Sequence, residues 1–235
     1  MNFVKMTVLA LLLALPPMAM GSDPTLVPHR AEYKVKFSVA SGRLNTELRG
    51  DDEAYTARYV VKPTGIAKVL VGGRMDVTSE FQVDDGGVRP TGFQSKDTIR
   101  NDPDVNLAFD WTTNQAVGTV GTDDAVFDIE GFAYDFVSLQ YELMYDLLHG
   151  ETDATYLIFD VDKMRVANVT RGETKKVKTR YGSFEAVSVS HQREGSSRVT
   201  TFWCVEELGY LPVIMEQHRK GKLNFRASLV KYAPL

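Results

Sequence analysis

From residue 30 onward, apolar and polar side chains alternate with a period of two over most of the chain. Tyr33, Val35, Phe37 and Val39 alternate with Glu32, Lys34, Lys36 and Ser38. Met75, Val77, Phe81 and Val83 oppose Arg74, Asp76, Thr78, Glu80 and Gln82, and Val105, Leu107, Phe109 and Trp111 oppose Asn106, Asp110 and Thr112. Near the end, Leu223, Phe225, Ala227 and Leu229 oppose Asn224, Arg226 and Ser228. A strand written this way buries one face and wets the other, as antiparallel sheets do. Turn-forming residues punctuate the runs at Asp84-Asp85-Gly86-Gly87, Thr113-Asn114, Gly121-Thr122-Asp123-Asp124, Glu194-Gly195 and Lys220-Gly221. The pattern predicts a long antiparallel meander of about a dozen strands, forming a strongly curved sheet, an open or half barrel, or a sandwich.

Two segments depart from it. Between Asp135 and His149 the apolar residues switch to helical spacing, with Phe136, Leu139, Leu143 and Leu147 in one stripe and Val137, Tyr141, Met144 and Leu148 beside it. Ser138, Glu142, Asp146 and His149 form the narrow polar stripe, expected to face solvent. Asp135 is an N-cap and Gly150 a C-terminal stop. The wide apolar arc requires cover, expected from the concave face of the sheet. The second segment, Thr64 to Gly73, is short, apolar and bounded by glycines. It reads as a packed connection or short helix, or as a flap over a cavity.

The first thirty residues bear on compartment. Lys5 supplies a positive start, Met6 to Leu15 is almost continuously apolar, Pro16-Pro17 end the run, and Ala19 and Gly21 are small. This is the layout of a secretory signal peptide, residues 1–21, cleaved after Gly21 into the periplasm. An apolar run of about ten to fifteen residues is short for a ~30 Å hydrocarbon core, so no transmembrane segment is expected. Residues 22–235 are expected to form a single domain. The net charge of −4 argues against nucleic acid, which needs a basic surface. Cys204 is the one cysteine and lies in the strand-like run Phe202-Trp203-Cys204-Val205, as a packing residue. Pro212 marks an edge strand or a bulge.

The second half carries an ordered set of motifs. Asp135-Phe136-Val137-Ser138-Leu139-Gln140 opens the helix, and Lys178-Thr179-Arg180-Tyr181-Gly182-Ser183-Phe184-Glu185-Ala186-Val187 follows after a charged hairpin. Thr201-Phe202-Trp203-Cys204 and Gly209-Tyr210-Leu211-Pro212-Val213 complete the order. This resembles the bacterial periplasmic family catalogued as domain of unknown function 3108, closely over 131–231 and loosely over the rest. That family usually places a proline before the helix aspartate, where this chain has Ala133-Tyr134. The resemblance implies a β fold and an envelope location and transfers no activity.

Chemistry leaves little trace. No nucleophile elbow, phosphate loop or calcium loop is written, and His29, His149, His191 and His218 show no metal-ligand spacing. No catalytic residue, metal or cofactor is expected. The expected role is binding or scaffolding in the cell envelope, with a lipid, another amphipathic ligand or an envelope protein as partner. The candidate ligand-facing residues are Leu139, Leu143 and Leu147 on the helix and Ile66 and Val69 on the flap. The rival readings are a hydrolase or transferase with a scattered site drawing on His191 or His218, and a structural docking module.

Overall fold

The computed structural model describes residues 25–37, 40–51, 53–70, 72–84, 86–129, 131, 133–150, 154–160 and 163–235. The signal-peptide reading of residues 1–21 falls outside them. The period-two runs become strands: β1 (His29–Phe37), β2 (Ala40–Gly50), β3 (Ala54–Thr64), β4 (Met75–Asp84), β5 (Gly87–Asp97), β6 (Val105–Asp110), β7 (Gln115–Val120), β8 (Asp123–Asp128) and β9 (Ala133–Tyr134). The second half adds β10 (Ala154–Asp160), β11 (Lys163–Lys178), β12 (Ser183–Arg193), β13 (Arg198–Val205), β14 (Leu211–Arg219) and β15 (Lys222–Pro234). A short helix α1 (Ile66–Leu70) lies between β3 and β4, and α2 (Ser138–His149) between β9 and β10.

Among the described residues these strands make one fifteen-stranded sheet in the order β8-β7-β6-β5-β4-β3-β2-β1-β15-β14-β13-β12-β11-β10-β9. Each half is a meander, and the first and last long strands join them, with Tyr33 opposite Leu229 and Val35 opposite Ala227. Local chemistry explains the turns. Lys220 and Gly221 both take positive φ (50° and 74°) between β14 and β15, the conformation of a tight primed hairpin turn. Pro212 lies in β14, which has neighbours on both sides. Its missing donor coincides with a register break against Trp203 and Cys204, so the bulge holds and the edge does not.

The sheet curls without closing its ladder. Phe159 of β10 meets Phe127 of β8 at 5.1 Å and Phe93 of β5 at 6.0 Å between ring centroids. Inward residues of both halves, among them Tyr33, Leu48, Phe81, Val189, Val213 and Leu229, form one core. No helix among the described residues is long and apolar enough to cross a membrane.

The main helix differs from its prediction in two respects. It begins at Ser138, not Asp135, and Phe136 precedes it at 43% exposure. Gly150 closes it in the left-handed conformation, as expected. Its supposed solvent stripe is partly interior, since Ser138 and Glu142 are both buried. Helix α2 packs on β5 and β4, so its polar residues meet strand backbone and side chains as well as water.

Candidate functional site

Two buried carboxylates hold α2 against the sheet. Asp135 Oδ1 accepts hydrogen bonds from the Val137 and Ser138 amides (2.8 and 3.0 Å). Its Oδ2 accepts from the Ser79 hydroxyl of β4 (2.6 Å) and the Ser138 hydroxyl (2.8 Å). Asp135 thus caps the helix from outside it and ties the same end to β4. Burial raises its pKa against the opposing pull of these hydrogen bonds.

Seven residues further on, Glu142 Oε2 accepts from the Val88 amide (2.7 Å) and Oε1 from the Tyr134 hydroxyl (2.7 Å). Burial, with the Asp146 charge beside it, pushes its pKa up to about 7. Gly87 leaves room for it: a Cβ there would sit 2.8 Å from Glu142 Oε2, and its φ of 106° disfavours other residues. Tyr145 donates to the Asp84 carbonyl (3.1 Å), and the Tyr156 hydroxyl of β10 bonds Asp146. The helix is stapled to β4, β5 and β10, and every one of these polar atoms has a partner.

The interior beneath it is different. Tyr33, Thr46, Tyr59 and Tyr141 have buried hydroxyls with no protein partner, and His29 has a buried Nε2 in the same state. Register places four of them in adjacent rows on the inner face of β1, β2 and β3. Thr46 is directly opposite Tyr59, His29 is opposite Leu48, and Tyr33 is opposite Leu44. Tyr141 of α2 closes the group from above, its ring 6.2 Å from His29, 6.5 Å from Tyr59 and 5.3 Å from Phe81. The Tyr59 and Tyr141 hydroxyls sense each other without completing a well-formed hydrogen bond. Five unsatisfied polar atoms in one part of a core are unusual, because each costs on the order of 1–3 kcal/mol if nothing pairs with it.

The chemistry of this cluster is neutral. Burial lowers the His29 pKa and raises those of Tyr33, Tyr59 and Tyr141. His29 Nδ1 is 2.8 Å from the Val27 carbonyl, which can only accept, so Nδ1 carries the proton and Nε2 offers a lone pair. The cluster therefore presents four hydroxyls and one imidazole acceptor, walled by Leu44, Leu48, Val77 and Phe81. This set can hold an alcohol, ester or amide and gives no charge to balance an ion.

The residues singled out from the sequence lie around this cluster and apart from it. Leu139, Leu143 and Leu147 are buried in the core. Ile66 and Val69 are 78% and 85% exposed on α1, before β4, whereas α2 is tied to the other end of that strand through Asp84. The structure does not bring the five into one lining. The polar cluster itself was missed, although Thr46, set between Leu44 and Leu48 on the inward parity of β2, was a visible sign. His191 and His218 do not converge: His191 is opposite Thr200 and His218 opposite Val199, which puts them on opposite faces of the sheet. His191 stacks on Phe202 (5.7 Å), and burial lowers its pKa to about 4. No group of three or more potential metal ligands occurs among the described residues. Cys204 is buried and its thiol pKa is pushed up by burial, as a packing residue requires.

These features define a barrel-like β protein with a helix-covered interior containing a neutral polar cluster. The chain belongs to the family described as protein of unknown function DUF3108, whose model matches residues 30–224. None of the curated proteins matches it. It is similar in fold to the β-barrel-like protein of domain of unknown function DUF1849 from Brucella abortus, known from a crystal structure. The two are 17% identical, with a TM-score of 0.59 over 90% of this chain and 99% of that one.

Proposed function

We propose that this protein is exported and binds, without catalysis, an amphipathic molecule whose uncharged polar group reaches the cluster of His29, Tyr33, Thr46, Tyr59 and Tyr141. The observation that carries the reading is the convergence of five unpartnered buried polar atoms under α2. A neutral head group would satisfy them, with its apolar body against the aromatic and aliphatic core residues around them. The periplasm is the proposed location, on the strength of residues 1–21. N-terminal sequencing of the secreted protein is expected to begin at Ser22, and a chain retaining Met1 would remove the export argument.

Binding is tested on protein purified without detergent, by native mass spectrometry and by titration with a pyrene-labelled monoacylglycerol. Saturable binding is expected. Replacing Tyr59 and Tyr141 together by Phe is expected to weaken it about thirtyfold, from about 1 kcal/mol per neutral hydrogen bond. No co-purifying lipid and no saturable titration would overturn the proposal. So would a Phe pair that stabilises the protein while leaving binding unchanged, since the hydroxyls would then be unused.

A further inference from the structure

A groove on the convex side of the sheet has an electrostatic character opposite to that of the neutral interior cluster. Between Arg171 and Thr174 the register of β11 against β12 breaks, and the hairpin beyond it leans back over the outer face of β13 and β15. Lys175 Nζ lies 3.9 Å from the centre of the Trp203 ring, Ser188 Oγ donates to the Glu173 carbonyl (3.1 Å), and Tyr181 meets Tyr232 (6.3 Å). Below the hairpin tip is a groove of about 300 Å³. Its floor is the outer side of β1 and β15, with Lys34, Lys36, Arg226 and Ser228, and its wall is Lys178, Thr179 and Arg180.

Five of the lining side chains are cations and none is an acid, in a chain whose net charge is −4. Lys36 is directly opposite Arg226, a like-charge pair that destabilises a sheet unless something neutralises it. Of the acids nearest in register, Glu32 pairs with Arg43 and Lys231 outside the groove, and Glu216 pairs with Arg226 of its floor, which leaves four of the five cations uncompensated. Among the described residues, Lys34, Lys36, Lys178 and Arg180 have no ion-pair partner. An ordinary solvated face spreads its lysines over one element. Here two segments about 140 residues apart in sequence, held at fixed distance by the folded-back hairpin, bring their cations into one recess.

We infer that this groove is a binding site for a phosphate-bearing ligand, with the Arg180 guanidinium for an oxyanion pair and the Lys34, Lys36 and Lys178 ammonium groups for net charge. The site is separate from the interior cluster and does not depend on it. Phosphate comes in two forms the groove accepts, a soluble phosphate compound and an anionic lipid head group. Calorimetric titration with pyrophosphate at low ionic strength tests the first. Flotation with vesicles of equimolar phosphatidylcholine and phosphatidylglycerol tests the second. At least one probe is expected to bind in a manner that added salt weakens. Replacing Lys34 and Arg180 together by Gln is expected to reduce affinity about a hundredfold, about tenfold for each charge-assisted hydrogen bond removed. Replacing Lys220 and Lys222 by Gln removes the same net charge away from the groove and is expected to leave binding unchanged. Lys36→Gln alone serves as a second groove variant, with thermal melting to verify that each protein is folded. Binding of pyrophosphate alone assigns a soluble ligand, and binding of vesicles alone assigns a membrane surface. If neither probe binds, or if the groove pair and the control pair weaken binding equally, the inference is overturned.

Discussion

Glu142→Gln separates a buried, pH-active carboxyl from an exposed one. In the folded protein the Glu142 pKa is pushed up to about 7, against an ordinary 4.5. The folded chain therefore holds a proton there that the unfolded chain has released between those values. The stability tied to the protonated carboxyl is complete below about pH 4.5 and is lost as pH rises towards 7. A difference of about 2.5 pH units corresponds to about 3 kcal/mol. The wild-type profile alone would hide this, because His29 and His191 have lowered pKa values and pull the other way. Stability from neutral His191 is present above pH 6.5 and is lost as pH falls through about 4. Those contributions are common to both chains and cancel in the difference. Gln is close to the neutral carboxyl in shape and can still accept from the Val88 amide. Urea unfolding at pH 4.5 and pH 8 is therefore expected to show near-equal stabilities at the lower pH and a Gln variant more stable by up to about 3 kcal/mol at the higher. A stability difference that does not change with pH would refute the reasoning, because it would mean that Glu142 titrates alike in both states.

Leu143→Asp is expected to cost about 4 kcal/mol or more, since it removes buried apolar packing and places an unpaired carboxyl in the core. Circular dichroism melts would show it, and unchanged melting would mean α2 is not docked. Asp135→Ala leaves two amides and the Ser79 hydroxyl without their acceptor and is expected to cost about 3 kcal/mol, lowering the melting temperature; a loss no larger than that of an exposed cap would contradict the burial of this end. Cys204→Ala is expected to cost about 1–2 kcal/mol and to leave any binding intact. The native thiol should resist a disulfide reagent until the protein is unfolded, and prompt labelling of the folded protein would contradict its burial.

The alternation around Tyr33, Val77 and Leu107, and turns such as Lys220-Gly221, made the sheet legible in the sequence, because strand faces and positive-φ turns are decided locally. The partnership of β1 with β15 was not, since no local signal joins segments at the two ends of a chain. Nor was the two-residue strand at Ala133-Tyr134, too short to show a period. The helical wheel correctly grouped Ser138 with Glu142 and assigned them to the wrong environment. A wheel separates polar from apolar positions, but the waiting donors at Val88, Tyr134 and Ser79 become visible only when the strands are in place. The interior cluster was hidden for a related reason: tyrosine reads as apolar in an alternating pattern, and its hydroxyl matters only once the ring is buried.

The seam of the barrel has a mechanical consequence. Where β8 and β10 approach, ring packing of Phe127, Phe159 and Phe93, together with the side-chain hydrogen bonds that α2 makes to β4, β5, β9 and β10, holds the sheet shut in place of a ladder of backbone hydrogen bonds. Each ring pair contributes about 0.5–1.5 kcal/mol beyond its buried area, and parting them leaves every strand pairing intact. The wall of the barrel therefore has a direction in which it yields first. The outer edges of β8 and β9, which have a strand on one side only, are where amide exchange should begin, while the strands behind them stay paired.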